Sequence, residues 1–188
     1  MPFSYYDRLT RAQQRIYRQS DAVTSLRLSQ PRALHPLVEA LAGALTAEDR
    51  AGVESQAQRL FRGLTEAFAV PPCRLEVLAA RPHGQWGELQ GLYTTAERGR
   101  PAKVTLWMRT ARQRRVVAFR TFLRTLLHEL CHHLDYQHLR LADSFHTEGF
   151  YKRESSLFHQ LVPAPPTSAV EEAPGPEESG NHGSAGVD

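Results

Sequence analysis

Residues 121–136 read TFLRTLLHELCHHLDY, and this stretch decides both the fold prediction and the choice of candidate functional residues. Apolar residues recur here at helical spacing, which predicts an amphipathic helix with one buried stripe. The stripe consists of Phe119, Leu123, Leu126, Leu127, Leu130 and Leu134. At about 100° per residue, His128 and His132 point away from that stripe, with Glu129 beside them. The helix is therefore expected to pack its back on a core and to carry two imidazoles and a carboxylate on its front.

The HExxH spacing of these three residues suits a metal ion. Residues four apart lie one turn apart on the same helix face, so His128 and His132 can hold one ion while Glu129 lies next to it. The alternative is a helix with surface histidines, which is disfavoured because all three polar residues lie off the apolar stripe. Hydrolytic zinc sites use three protein ligands and keep a fourth position for water. A third ligand is therefore expected elsewhere in the chain.

The third ligand is sought downstream, in the segment SFHTEGFY. His146 is the first choice, because thirteen residues separate it from His132 and allow the chain to turn back, and because imidazole is the commonest metal ligand. Glu148 and Glu154 are the alternatives, since a Glu on a following helix serves this purpose in other zinc peptidases. Asp135 is expected to be a solvated carboxylate or one that orients a ligand.

HExxH followed by His-x-x-x-Phe resembles the SprT-like and WLM-like minimal zinc metallopeptidases, which are HExxH zincins. The resemblance covers about residues 74–162, although the SprT pattern usually has Gly directly after its third His and this chain has Thr147. It implies that His128, His132 and His146 are zinc (Zn²⁺) ligands. It also implies that Glu129 is the catalytic base and that Phe150 packs behind the third ligand.

The activity implied by the resemblance is zinc-dependent hydrolysis of peptide bonds in a protein or peptide substrate. Glu129 would take a proton from water as that water attacks the peptide carbonyl, with zinc lowering the pKa of the water to about 7. A further donor to the developing oxyanion is expected among three residues that are near in sequence. These are Tyr136, Tyr151 and Arg153.

The flanking sequence predicts an α+β fold. Apolar periodicity predicts helices over 5–23 and 48–68, and β-like runs separated by turn-rich segments predict strands over 74–80, 88–95 and 102–109. A helix plus a small three-stranded sheet packed on the HExxH helix is a minimal zincin-like domain, as the resemblance also implies. The chain then divides into three parts. Residues 1–45 form an N-terminal helical extension, and residues 46–162 form the metallopeptidase domain. Residues 163–188 form a disordered acidic tail rich in Pro, Gly and Ser.

One strand is assigned a role in binding the substrate. Residues 102–108 come shortly before the HExxH helix and are a candidate for edge pairing with a peptide backbone. The equally weighted alternative is an ordinary strand whose Trp107 fills the core. His133, at the margin of the apolar stripe, is expected to be a packed or hydrogen-bonded core histidine rather than a ligand.

Composition bounds the class of protein. With 188 residues and 41% hydrophobic content, the chain can bury one substantial core. It shows neither an apolar signal core nor a run of about 18 apolar residues, so a soluble cytoplasmic protein without membrane contact is expected. Cys73 and Cys131 lack CxxC spacing and are expected to be reduced thiols.

Two alternatives to an enzyme come from other classes. One is a non-catalytic module stabilised by zinc; an intact Glu129 argues against it, because a structural site needs a fourth protein ligand rather than a base. The other is a nucleic-acid binder, because five of the 20 acidic residues lie in the tail and leave 23 basic against 15 acidic residues before it. Its candidate surface is the arginine cluster of Arg109, Arg112, Arg114, Arg115, Arg120 and Arg124.

Overall fold

The computed structural model describes residues 3–84, 87–88, 90–97 and 99–162. These residues form a mixed α+β fold with five α-helices and a small three-stranded sheet, so the coarse fold prediction is confirmed. The helices are α1 (Arg11–Ala22), α2 (His35–Thr46), α3 (Arg50–Ala67), α4 (Phe119–Gln137) and α5 (Glu148–Leu161). The strands are β1 (Arg74–Ala80), β2 (His83–Gly84), β3 (Gly87–Glu88), β4 (Gly91–Thr94) and β5 (Lys103–Arg109). The tail predicted to be disordered, 163–188, lies outside the described residues.

The sheet has the order β1-β5-β4, with β5 in the centre. β5 runs parallel to β1, where Val77 pairs with Leu106, and antiparallel to β4, where Tyr93 pairs with Val104. Both edges of β5 are therefore hydrogen-bonded within the sheet, so the prediction that 102–108 pairs with a peptide is wrong. The alternative holds in part: β5 is an ordinary internal strand and Trp107 is buried. The strand contributes Val104, Leu106 and Met108 to the main hydrophobic cluster, whereas Trp107 is outside that cluster. The exposed edge next to the HExxH helix belongs to β4, while β2 and β3 form a separate two-stranded ribbon.

The helices cover the sheet because their apolar stripes match one continuous core. α3 packs on β1, and α4 packs on β4 and β5. The predicted stripe of α4 is buried except for Phe119, which is half-buried. α5 packs on α4, and α1 packs on α5. The core joins side chains from most of these elements: Leu41, Phe61, Leu106, Leu126 and Phe158.

The N-terminal part contributes directly to this core. The helix α2 was not predicted from the sequence. It packs along α3 and buries Val38, Leu41 and Leu45. The helix predicted over 5–23 is present as α1, preceded by a short 3-10 turn at Tyr6–Arg8. The proposed division after residue 45 therefore does not coincide with a break in the core, and the domain organisation stays a prediction.

Two further expectations can be compared with the fold. Cys73 and Cys131 are both buried and free, as expected for reduced thiols. No helix formed by the described residues is long and apolar enough to cross a membrane.

Candidate metal centre

Three histidines meet at one end of a cleft between α4 and β4. The Nε2 atom of His146 lies 3.0 Å from Nε2 of His128 and 3.1 Å from Nε2 of His132. Two nitrogens bound to one tetrahedral zinc at about 2.0–2.1 Å are about 3.3 Å apart, so a metal ion fits between these rings with little rearrangement. The three residues form a group able to hold a metal ion.

The turn between α4 and α5 delivers His146 to the other two histidines. α4 ends at Gln137, and Arg140 adopts a left-handed conformation with φ 56°, which helps to reverse the chain. Thr147 then caps α5, because its hydroxyl accepts a hydrogen bond of 2.9 Å from the backbone N–H of Phe150. The Tyr5 hydroxyl donates to the carbonyl of His146 at 2.7 Å. Thr147 thus starts the helix that follows His146.

Phe150 forms the apolar floor under the three imidazoles. Its ring is fully buried, and its centroid lies 5.0 Å from that of His128, 4.8 Å from that of His132 and 5.3 Å from that of His146. A rigid aromatic ring at this position limits the rotamers that the histidines can adopt. This is the packing position that the family resemblance implies for Phe150.

The Nδ1 atoms of His128 and His132 have oxygen partners. Nδ1 of His128 lies 3.2 Å from Glu154 Oε2, and Nδ1 of His132 lies 2.7 Å from Ser144 Oγ. Oxygen acceptors at Nδ1 favour the tautomer that leaves the Nε2 lone pair free for a metal. Glu154, an alternative third ligand, therefore lies behind a ligand. Glu148, the other alternative, is at the surface, where its carboxylate pairs with Lys152 at 2.7 Å.

The environment of His132 and His146 favours the uncharged imidazole. Burial, followed by the neighbouring His128, His146 and Arg153, lowers the pKa of His132 to about 3. Burial also lowers the pKa of His146, followed by the effect of His128. Neutral imidazole is the form that binds a metal cation, so these two side chains need not lose a proton at neutral pH to bind one.

Glu129 is a buried carboxyl group beside the two helical histidines. Burial raises its pKa to about 7, whereas His128 and the backbone N–H of Tyr93 lower it. β4 passes close to this carboxyl at Gly91, where an added Cβ would overlap Glu129 Oε1 and lie 2.8 Å from Cδ. The glycine therefore leaves the space that the Glu129 side chain occupies.

The cleft in front of these residues has a volume of about 850 Å³. β4 and the residues next to it form one wall, and α4 and the start of α5 form the other. Tyr136 and Tyr151, two of the candidate oxyanion donors, line this space. The third candidate, Arg153, is wrong: its side chain is fully buried and donates to Asp135 Oδ1 at 2.7 Å and to the carbonyl of Ser20 at 2.6 Å.

Asp135 and His133 hold the back of α4 in place. Asp135 is fully buried rather than solvated, and it accepts a hydrogen bond of 2.8 Å from Ser144 Oγ. Burial raises the pKa of Asp135, and the guanidinium of Arg153 opposes that rise. His133 is buried between the Tyr93 hydroxyl at 3.1 Å and the carbonyl of Pro71 at 2.9 Å. The expectation of a hydrogen-bonded core histidine is confirmed.

The arginine cluster is only partly a free basic surface. The guanidinium of Arg109 pairs with Glu48, and Arg124 lies 3.4 Å from Glu154 Oε1. Arg120 and Arg124 also lie over the ring of Phe158, at 4.8 and 4.1 Å from its centroid. Arg112, Arg114 and Arg115 are exposed in the connection between β5 and α4, and Arg120 is exposed in the first turn of α4.

Three residues that touch this centre were missed in the sequence: Gly91, Tyr93 and Ser144. Gly91 and Tyr93 lie on a strand of four residues with no pattern that marks proximity to α4, a helix that begins only at Phe119. Ser144 stands two residues before His146, and this proximity was the one signal that could have found it.

Comparison with protein-family models, curated proteins and solved structures gives no match.

Proposed function

We propose that this protein is a zinc-dependent metalloendopeptidase of the SprT-like or WLM-like zincin type. The observation that carries the proposal is the meeting of three Nε2 atoms, of His128, His132 and His146, in a cleft that also contains Glu129. The family assignment rests on the motif residues and on the mixed α+β fold around them. The substrate is a protein or peptide.

Zinc is proposed because of the donor set. Three imidazoles and no carboxylate ligand disfavour calcium and magnesium, which prefer oxygen, and favour a borderline cation such as zinc. Three protein ligands beside an 850 Å³ cleft are typical of a catalytic site, whereas structural zinc sites are closed by a fourth protein ligand. This is the argument against a non-catalytic module stabilised by zinc.

Glu129 supplies the acid–base chemistry. When bound, zinc would lower the pKa of water to about 7 and polarise a carbonyl oxygen. In the metal-free centre burial raises the pKa of Glu129 to about 7. A carboxylate at this position could accept the proton of the attacking water and return it to the leaving amine. Tyr136 and Tyr151 line the cleft and are candidates for a hydrogen bond to the oxyanion.

The exposed edge of β4 is the proposed platform for the substrate backbone. β4 is hydrogen-bonded to β5 on one side, and residues 90–95 line the cleft on the other. An extended peptide can add to such an edge through main-chain hydrogen bonds. This would place a peptide beside Glu129, since the carboxyl of Glu129 contacts the same strand.

The test compares the wild-type protein with two single variants. Purified wild type should contain about one zinc per chain and cleave an unfolded, reduced and alkylated protein substrate. Glu129→Gln should keep zinc and reduce cleavage by roughly 100-fold or more, the scale of a lost general base. His146→Ala should lose zinc. Equal cleavage by wild type and Glu129→Gln would refute the mechanism.

Nucleic-acid binding is the second candidate and rests on Arg112, Arg114 and Arg115, which are exposed in one loop. A protein that neutralises phosphates with these side chains loses affinity steeply as salt increases. If no unfolded or DNA-associated protein is cleaved and DNA is bound with such a salt dependence, this function replaces the first.

A further inference from the structure

A chain of hydrogen bonds connects the end of α1 to a histidine of the proposed metal centre. Its first link is Arg153 on α5, whose fully buried side chain contacts the end of α1. Its guanidinium donates to the carbonyls of Ser20 and Val23 at 2.6 and 2.7 Å, and to Ser20 Oγ at 3.0 Å. It also donates to Asp135 Oδ1 at 2.7 Å. Arg153 is therefore fixed by four acceptors from α1, the residues after it, and α4.

The chain continues through one hydroxyl group. Ser144 Oγ lies 2.8 Å from Asp135 Oδ2 and 2.7 Å from Nδ1 of His132. Both distances are those of well-formed hydrogen bonds. Ser144, on the turn between α4 and α5, thus stands between the buried ion pair and the second histidine of the HExxH motif.

The direction of each hydrogen bond follows from the donors present. The guanidinium of Arg153 cannot lose its proton, and a buried cation requires an ionised partner, so Asp135 is a carboxylate and can only accept. Ser144 has a single hydroxyl proton, which it must donate to Asp135. Its oxygen can then only accept from His132, which requires the proton of the neutral imidazole to be on Nδ1. The lone pair of His132 is left on Nε2, the atom that faces His146 at 3.1 Å.

We propose that Ser144 is a positioning residue of the metal centre, which fixes the tautomer and orientation of His132 from the buried Asp135–Arg153 pair. This role of Ser144 rests on the proposed function, because His132 is a ligand of the proposed zinc site. His132 is held ready to bind a cation before the cation arrives. The N-terminal part of the chain takes part in this arrangement, because Ser20 and Val23 hold the guanidinium.

A second contact supports the role of the N-terminal part. The side chain of Asp21 accepts a hydrogen bond of 2.8 Å from the backbone N–H of Gly149, and a Cβ at Gly149 would overlap the carbonyl of Asp21. α1 is therefore pressed against the first turn of α5, three residues after His146. The Tyr5 hydroxyl holds the carbonyl of His146 from the same side.

The first test reads the tautomer directly in metal-free protein. Long-range proton–nitrogen NMR of the imidazoles, with His132 assigned by a His132→Gln variant, should show the His132 proton on Nδ1 at neutral pH. Ser144→Ala should lose this fixed tautomer. A proton on Nε2 of His132 in the wild type would overturn the proposal whether or not the protein binds zinc.

The second test measures affinity for Zn²⁺ by competition with a chromophoric chelator. Ser144→Ala should weaken binding by roughly 10–100-fold, the usual effect of removing a group that orients a ligand. Ser144→Thr keeps the hydroxyl and should restore affinity to within about threefold, which a merely structural role would not require. An unchanged affinity in Ser144→Ala overturns the proposal.

The matched control is Ser156→Ala. Its hydroxyl donates to the carbonyl of Leu26 at 3.1 Å and makes no contact with a ligand. Its zinc affinity should equal that of the wild type, and a loss as large as that of Ser144→Ala would overturn the specific role of Ser144. Failure of the proposed function has a different signature, namely a wild type that binds no zinc or cleaves no protein while His132 still carries its proton on Nδ1.

Discussion

Gly91→Ala is expected to impair catalysis without removing zinc. A Cβ at this position would overlap Glu129 Oε1 and lie 2.8 Å from both Glu129 Cδ and Thr125 Cγ2. Carbon atoms in contact are ordinarily about 3.5–4.0 Å apart, so the carboxyl has to retreat by about 1 Å. A displacement of that size at a reacting group costs roughly 100-fold in rate. None of the three atoms nearest to the added methyl group belongs to a proposed zinc ligand, so the zinc content should stay at about one per chain.

The overlap should also appear as a loss of stability. Inserting a methyl group into a packed site typically costs about 1–3 kcal/mol, which lowers the melting temperature of a domain of this size by roughly 2–12 °C. In a Glu129→Ala background the cost of Gly91→Ala should be smaller, because the larger of the two obstacles is absent. Gly43→Ala is the control: nothing lies within 4 Å of a Cβ there, and the change in mid-helix should stabilise the protein slightly.

The assays are kcat/KM on an unfolded protein substrate, zinc content and thermal unfolding of the metal-free proteins. Wild-type activity in Gly91→Ala would refute the reasoning, because it would show that Glu129 does not need the position beside β4. A loss of zinc together with activity would refute it as well, since the effect would then act through the ligands.

Two other predictions concern stability. Burial raises the folded-state pKa of Glu129 to about 7 from 4.5, so ionising it in the metal-free protein costs about 3 kcal/mol. That stability is present below pH about 4.5 and is lost as the pH rises through about 7. Glu129→Gln should therefore unfold at a higher urea concentration than the wild type at pH 8 and at the same concentration at pH 4, and equal midpoints of the two proteins at pH 8 would contradict this. Removal of 163–188, whose composition cannot offset chain entropy, should leave the melting temperature unchanged, and a large decrease would show that the tail docks.

The helical half of the centre was accessible from the sequence because its geometry is local. A period of 3.6 residues fixes which side chains share a face of α4, so His128, Glu129 and His132 could be placed relative to the apolar stripe without any tertiary information. His146 required only that a turn return the chain. The contact of Ser144 with His132 and that of Tyr5 with His146 depend on which atoms the turn and the N-terminal segment bring together, and no spacing rule specifies this.

The central position of β5 in the sheet agrees with the apolar content of its sequence. Residues 102–108, AKVTLWM, form a nearly continuous apolar run, and such a run is typical of a strand buried on both faces rather than of an edge. β4, by contrast, has only four residues, and its Leu92 is partly exposed. Short edge strands are a common way of limiting unwanted pairing. Gly91, which weakens β4 as a strand, is also the residue that admits the Glu129 carboxyl, so the same residue limits the strand and allows it to lie beside the proposed catalytic base.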